Sequence, residues 1–185
     1  TVIVSSLRAF KEIIRIEGLV RQRTHEITQI NSELKKANRD LVDSINYARR
    51  IQTSILPAVS EIRRALPQFF ALYEPKDIVS GDFYWFYSKG DLVYFAAVDC
   101  TGHGVPGAMM SVLAYSLFNQ VVREADGQTP AQVLNRVQAL LANTIHKHQE
   151  AIAAVMNNNP ADGFDCGLCR FDKRTRELQY AGARR

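Results

Sequence analysis

Apolar positions in the first third of the chain recur with heptad spacing. One set is Ile13, Val20, Ile27, Leu34, Leu41, Ala48 and Ile55; the other is Val2, Ala9, Ile16, Ile30, Ala37 and Ile51. Ser6, Arg23 and Ser44 interrupt the seam. Gly18 is the only glycine here, and no proline precedes Pro57. A seam with a period of about 3.5 residues, sustained this long, predicts a coiled coil rather than a helix folded back on its own domain. Lys35, Lys36, Arg39 and Asp40 decorate its outer face. Leu7, Phe10, Ile14 and Leu19 widen the apolar face near the start, where further helices or a preceding domain could dock. Arg23 in the seam fits a sequence that trades stability for register or switching.

Pro57 ends or kinks that helix, because the residue before a proline avoids the helical region. Ser60–Ala65 resumes as a short helix, and Pro67 closes it. Three strands are then predicted: Gln68–Tyr73, Gly81–Tyr87 and Leu92–Val98. The last two flank the turn signal Ser88-Lys89-Gly90-Asp91. Phe95–Val98 is an unbroken apolar run, as expected of a strand covered on both faces. Val105–Glu124 reads as a helix apolar almost all round, hence buried. Thr129-Pro130 caps a further helix, Ala131–Lys147. A polar loop, 156–163, leads to a second hairpin, Phe164–Phe171 and Glu177–Ala181. The order lacks β-α-β alternation and predicts an α+β layered domain with antiparallel sheet at 66–185, behind a helical segment at 1–65.

Composition changes little. The chain has 185 residues and a net charge of +4. Residues 1–65 hold 12 basic and 7 acidic residues, so the excess lies on the helix. No basic patch with interleaved aromatics marks a nucleic-acid face, so no nucleic-acid partner is expected. No run of about 18 apolar residues predicts a transmembrane helix. The opening Thr1–Val4 lacks a basic leader and reads as a cut from something longer. Three cysteines, Cys100, Cys166 and Cys169, argue against a disulfide framework and for a reducing, cytoplasmic setting. Cys166 and Cys169 form a C-x-x-C, but on a strand they point to opposite faces, which disfavours zinc or redox chemistry. His146 and His148 share no helical face and are poor joint ligands.

The chemistry concentrates between Ser80 and Ser111. Asp82 opens one strand of the first hairpin, and Asp99 ends the other. Antiparallel pairing brings the two carboxylates together. Two like charges held so close call for a cation between them, and hard divalent ions prefer such oxygen ligands.

Asp99-Cys100-Thr101-Gly102-His103-Gly104, continuing through Val105-Pro106-Gly107-Ala108, resembles the D-x-x-G-H-G-x-x-[AG]-A signature of the SpoIIE- and RsbU-like branch of the PPM-type metal-dependent serine/threonine phosphatases. Ser80-Gly81-Asp82-Phe83 resembles the branch's G-G-D-[FWY] segment. Ser44 to Pro57 resembles the A-x-x-[IV]-Q-x-x-[LI]-L-P stretch that leads into it. Asp162-Gly163-Phe164-Asp165 resembles a D-G-[MF]-D strand start. The four motifs stand in the family's order and span about residues 44 to 182.

The resemblance implies an antiparallel β-sandwich of two sheets flanked by helices, with two Mn²⁺ or Mg²⁺ ions at one end. Asp99 would bridge both ions, Asp82 would bind one, and the Cys100 backbone carbonyl would supply a further ligand. Asp165 is a weaker candidate, either supporting the site or merely starting a strand. Gly102, His103 and Gly104 would form an active-site loop. His103 would be a general acid for the leaving serine or, more simply, a turn histidine whose glycine neighbours permit a tight passage. The family's later aspartates, in a D-G turn and a terminal D-D, do not occur before Arg185. The metal shell is therefore expected to be incomplete and turnover by this chain weak or nil.

The implied function is a phosphatase output domain of a bacterial signalling protein. Its substrate would be a phosphoserine protein such as a STAS anti-sigma-antagonist-like domain. Control would come through a homodimeric coil from an upstream sensor, often membrane-bound in such proteins. The alternative is a catalytically incomplete dimerisation or scaffold module.

Overall fold

The computed structural model describes residues 2–124, 127–152 and 163–184. The side chains of His146 and His148, and nearly all of the predicted 156–163 loop, lie outside the described residues. The chain divides into two units, at Ser44.

The described residues of the first unit are helical and belong to α1 (Val2–Ile55). Local pairs support it: Arg23 with Glu26 at 2.9 Å, and Gln22 donating to Glu26 and Gln29 to Glu33 one turn on. Its seam residues Ile13, Val20, Ile27, Ile30, Leu34 and Leu41 are all exposed in the single chain. The side chains of Val2 and Ala9 lie outside the described set.

The second unit begins with the last turns of α1. The helix stops at Ile55 and resumes as α2 (Val59–Ala65), so the expected long helix breaks around Pro57 as its lost N–H requires. Residues 68–73, expected to form a strand, are irregular. Pro67 and Pro75 bracket this segment, and Phe70 and Leu72 are largely exposed. A strand needs a ladder partner, and these residues have none among the described residues.

Four strands follow: β1 (Phe83–Lys89), β2 (Leu92–Cys100), β3 (Phe164–Asp172) and β4 (Glu177–Ala183). They form one antiparallel sheet in the order β1-β2-β3-β4. The β1–β2 turn is two residues, Gly90 and Asp91. Gly90 takes φ of 61°, the type II′ geometry that suits the twist of the flanking strands. Between β2 and β3 lie α3 (Gly104–Glu124) and α4 (Pro130–Ile152). Thr129 and Gln132 exchange side-chain-to-backbone hydrogen bonds, a capping box that starts α4 at Pro130. The α+β layout is as expected. The described residues form one of the two sheets a sandwich would contain.

The period of two sets the core. Phe83, Trp85, Ala96, Val98, Cys166 and Leu168 face the helices, packed on Ala114, Leu117, Phe118, Val121 and Val137. Phe118 is fully buried, with its ring 5.3 Å from Trp85 and 5.7 Å from Phe164. Burying such a side chain stabilises by about 1.5–3 kcal/mol. The Trp85 indole N–H donates to Asn119, so the core satisfies its polar edge. By length and composition α3 could cross a membrane, yet its apolar stripe is consumed by this core. It is not buried all round as expected: Val105 and Met109 are exposed.

The opposite face is covered unevenly. At the turn end, Ile62 of α2 packs on Phe86 and Val93. At the other end Ala97 is exposed, so β2 is not covered on both faces as its apolar run suggested. Asp82 and Asp99 stand at this open end.

Candidate metal and phosphate site

Asp82 immediately precedes β1, and Asp99 lies inside β2, which runs two residues further than its apolar run predicts. Phe83 pairs with Val98, so the ladder extended by one residue sets Asp82 opposite Asp99. Asp99 in turn pairs with Asp165 of β3. Three carboxylates thus occupy one row across three strands. Their neighbours Phe83, Val98 and Cys166 point to the helix side, so all three lie on the open face. They line a groove of about 530 Å³. Its floor is small, with Ala97 and Gly167 paired across the strands. Tyr73, Tyr84 and Tyr180 wall it.

Burial pushes the Asp82 carboxyl above its ordinary range; a hydrogen bond to Asp99 and that residue's charge push it further. That is the direction expected of two like charges held close with nothing positive between them. Buried thiols are the contrast: Cys100 and Cys166 are pushed up to about 12, chiefly by burial, and stay protonated and inert. Cys169 lies on the opposite face from Cys166, as the strand reading required.

The loop after β2 requires its glycines. Gly102 has φ of 88° and Gly104 of 61°, both left-handed. Gly81, Gly102 and Gly107 meet backbone to backbone. A Cβ on Gly107 would stand 2.5 Å from the Gly102 carbonyl oxygen, and one on Gly81 2.9 Å from the same atom and 3.0 Å from the Cys100 carbonyl oxygen. The Cys100 carbonyl is thereby held beside the residue preceding Asp82. His103 is highly exposed, and its Nδ1 lies 3.4 Å from Asp77 rather than in the carboxylate row. Thr101 anchors the other side: its hydroxyl accepts from the Gly163 N–H and donates to the Gly163 carbonyl, both at 2.9 Å.

Gln52 is a contributor that composition alone conceals. It is buried, and its amide exchanges two hydrogen bonds with the Ser80 backbone, at 2.5 and 3.1 Å. It also donates to the Ser111 hydroxyl at 2.8 Å, and the Ser80 hydroxyl accepts from the Asp82 N–H at 3.0 Å. The last turn of α1, the loop before β1 and the first turns of α3 are thus tied around one side chain. A long polar side chain at one helical position carries no such signal in the sequence; only its place in the lead-in motif singled it out.

The donor set fits a hard divalent cation in kind, being all oxygen with two carboxylates opposed at the end of the ladder. It is short in number: among the described residues no three His, Cys, Asp or Glu side chains gather as a metal group.

A carboxyl whose folded-state pKa is raised costs stability once deprotonated. Relative stability is full below the unfolded pKa and is lost as pH rises through the elevated folded value. In chelator, thermal unfolding should therefore show the protein losing stability as pH rises above the ordinary carboxylate range. Asp82→Asn should flatten that slope and match or exceed the parent at pH 7. A slope unchanged by the substitution would show that the two carboxylates do not oppose each other.

The sequence profile of the Stage II sporulation protein E (SpoIIE) family matches residues 89–184, which include Asp99 and Asp165. No curated protein matches the chain. Among solved structures, the SiaA-PP2C domain of Pseudomonas aeruginosa is 32% identical, with a TM-score of 0.60 over 80% of this chain and 55% of that one. The chain thus spans about half the length of that relative. With the profile covering half of its residues, the chain belongs to the SpoIIE family, and the structural match shows part of the fold of a PP2C-type phosphatase domain.

Proposed function

We propose that this chain is part of a divalent-metal-dependent serine/threonine protein phosphatase that removes phosphate from a phosphoserine protein. The observation that carries the reading is the register placing Asp82 against Asp99 at the open end of the sheet. Asp82 and Asp99 would hold Mn²⁺ or Mg²⁺, with the Cys100 carbonyl as a further oxygen and Asp165 at the margin. When bound, two such ions neutralise a phosphomonoester dianion and acidify a water. The chain's own residues do the remaining work. The β1 and β2 ladder fixes the spacing of the carboxylates, and the glycine junction fixes the loop beside them. His103 is assigned no proton transfer, since its ring faces Asp77.

The proposed substrate is a small phosphoserine-bearing domain of the STAS type, acted on in the cytoplasm, with an upstream sensor controlling activity. Support for control through the helix is twofold. The heptad residues of the first unit are exposed and apolar. Within the second unit, Gln52 ties the end of α1 to the segment leading into Asp82. A second reading, a dimerising scaffold without turnover, is favoured by the shortage of metal ligands among the described residues.

Hydrolysis of a phosphoserine peptide with Mn²⁺, by this chain and by a longer one carrying the family's later aspartates, separates the readings. The phosphatase reading expects chelator-sensitive turnover in the longer protein, much weaker in the 185-residue chain, and a loss of at least a hundredfold in Asp99→Asn. Absence of turnover in both chains would favour the scaffold. Light scattering at micromolar concentration should give the mass of a dimer for this chain, falling to a monomer when Leu34 and Leu41 are both replaced by Asp. A monomeric parent would end the coiled-coil reading.

A further inference from the structure

The row of carboxylates does not stop at β3. Cys166 pairs with Ala183, so the same ladder extended by one residue sets Arg184 opposite Asp165. Four charged residues then cross the open face in order: Asp82, Asp99, Asp165 and Arg184. Arg184 lines the groove with the three carboxylates and is the only basic residue among its described lining. Among the described residues no ion pair engages its guanidinium.

A row of carboxylates repels an incoming dianion, and a guanidinium at the end of the row offsets that repulsion. Adjacent strands are about 4.8 Å apart, which puts the Arg184 backbone about 10 Å from that of Asp99. A phosphate held over Asp82 and Asp99 therefore lies toward the reach of a long side chain extended along the row. One row inward, Gly167 and Gly182 leave room for the Tyr180 ring, which lies over them and forms the wall of the groove. Arginine suits the task because its planar fork binds two oxygens of one phosphate.

We propose that Arg184 is the phosphate-recognition residue of this groove, its guanidinium binding the oxygens of a seryl phosphomonoester seated over the Asp82–Asp99 row. The inference rests on the phosphatase reading and adds the residue that recognises the anion.

The test is titration of O-phosphoserine into the ¹⁵N-labelled 185-residue chain with Mg²⁺, followed through the amides of Gly167 and Gly182, with serine as the control. The parent should show saturable shifts with phosphoserine and none with serine. Arg184→Ala should weaken binding tenfold or more. Arg184→Lys should fall between, keeping the charge and losing the fork. If Arg184 acts only by neutralising Asp165, the double variant Asp165→Asn/Arg184→Ala would regain parental binding. That recovery, a parent that does not bind, or an Arg184→Ala protein binding within twofold of the parent would each overturn the proposal. Circular dichroism confirms that the exposed substitutions leave the fold intact. Hydrolysis of p-nitrophenyl phosphate by the longer chain separates the two levels. Arg184-dependent binding without hydrolysis sinks the phosphatase reading alone, whereas hydrolysis with Arg184-independent binding sinks the inference alone.

Discussion

Two like-charged carboxylates are set opposite each other at the end of a β-ladder, and much of the second unit can be understood as what makes that tolerable. Charges of one sign directly opposite across strands are destabilising. Burial, with Asp99 beside it, raises the proton affinity of Asp82, the direction expected of opposed carboxylates with no cation between them. The cost is met on the other face of the same strands. Phe83, Trp85, Val98 and Cys166 alternate with the charged row and are buried against α3 and α4. A one-residue slip in register would exchange the two sets, putting the carboxylates in the core. The burial that stabilises the sheet is therefore also what aims the aspartates outward.

The position of Asp82 depends on a second constraint. It lies just outside β1, where the ladder no longer holds it, and the backbone there is fixed from three sides. Gly81 is pressed against the Gly102 and Cys100 carbonyls, Gly107 closes the same junction, and Gln52 holds Ser80. Removing a partner from a buried backbone N–H or C=O costs about 1–3 kcal/mol. The last turn of α1 therefore has an energetic grip on the loop bearing a candidate metal ligand. Displacing that turn, if the coil transmits motion, would be felt first at Ser80 and then at Asp82.

Much of this was legible in the sequence because it follows from period and punctuation. The turn signal Ser88-Lys89-Gly90-Asp91 between two apolar stretches placed β1 and β2, Thr129-Pro130 the start of α4, and antiparallel pairing put Asp82 and Asp99 at a shared end of the sheet. What was hidden depends on partners distant in the chain. The segment 68–73 has the composition of a strand and is irregular, because pairing rather than propensity makes a strand. Phe95–Val98 has the composition of a doubly covered strand, but the cover over Ala97 depends on where α2 lands. The glycine junction joins residues 26 positions apart, and Gln52 reaches Ser111 across 59. Arg184 belongs to the charged row only through a register across four strands, which no local pattern encodes.

The central claim is that Asp82 and Asp99 form one cation site rather than two incidental surface charges. The most direct measurement is calorimetric titration of Mn²⁺ into the metal-free chain and into its Asp99→Ala variant. The account predicts saturable binding by the parent and loss of that binding in the variant. Equal binding by both proteins would contradict it.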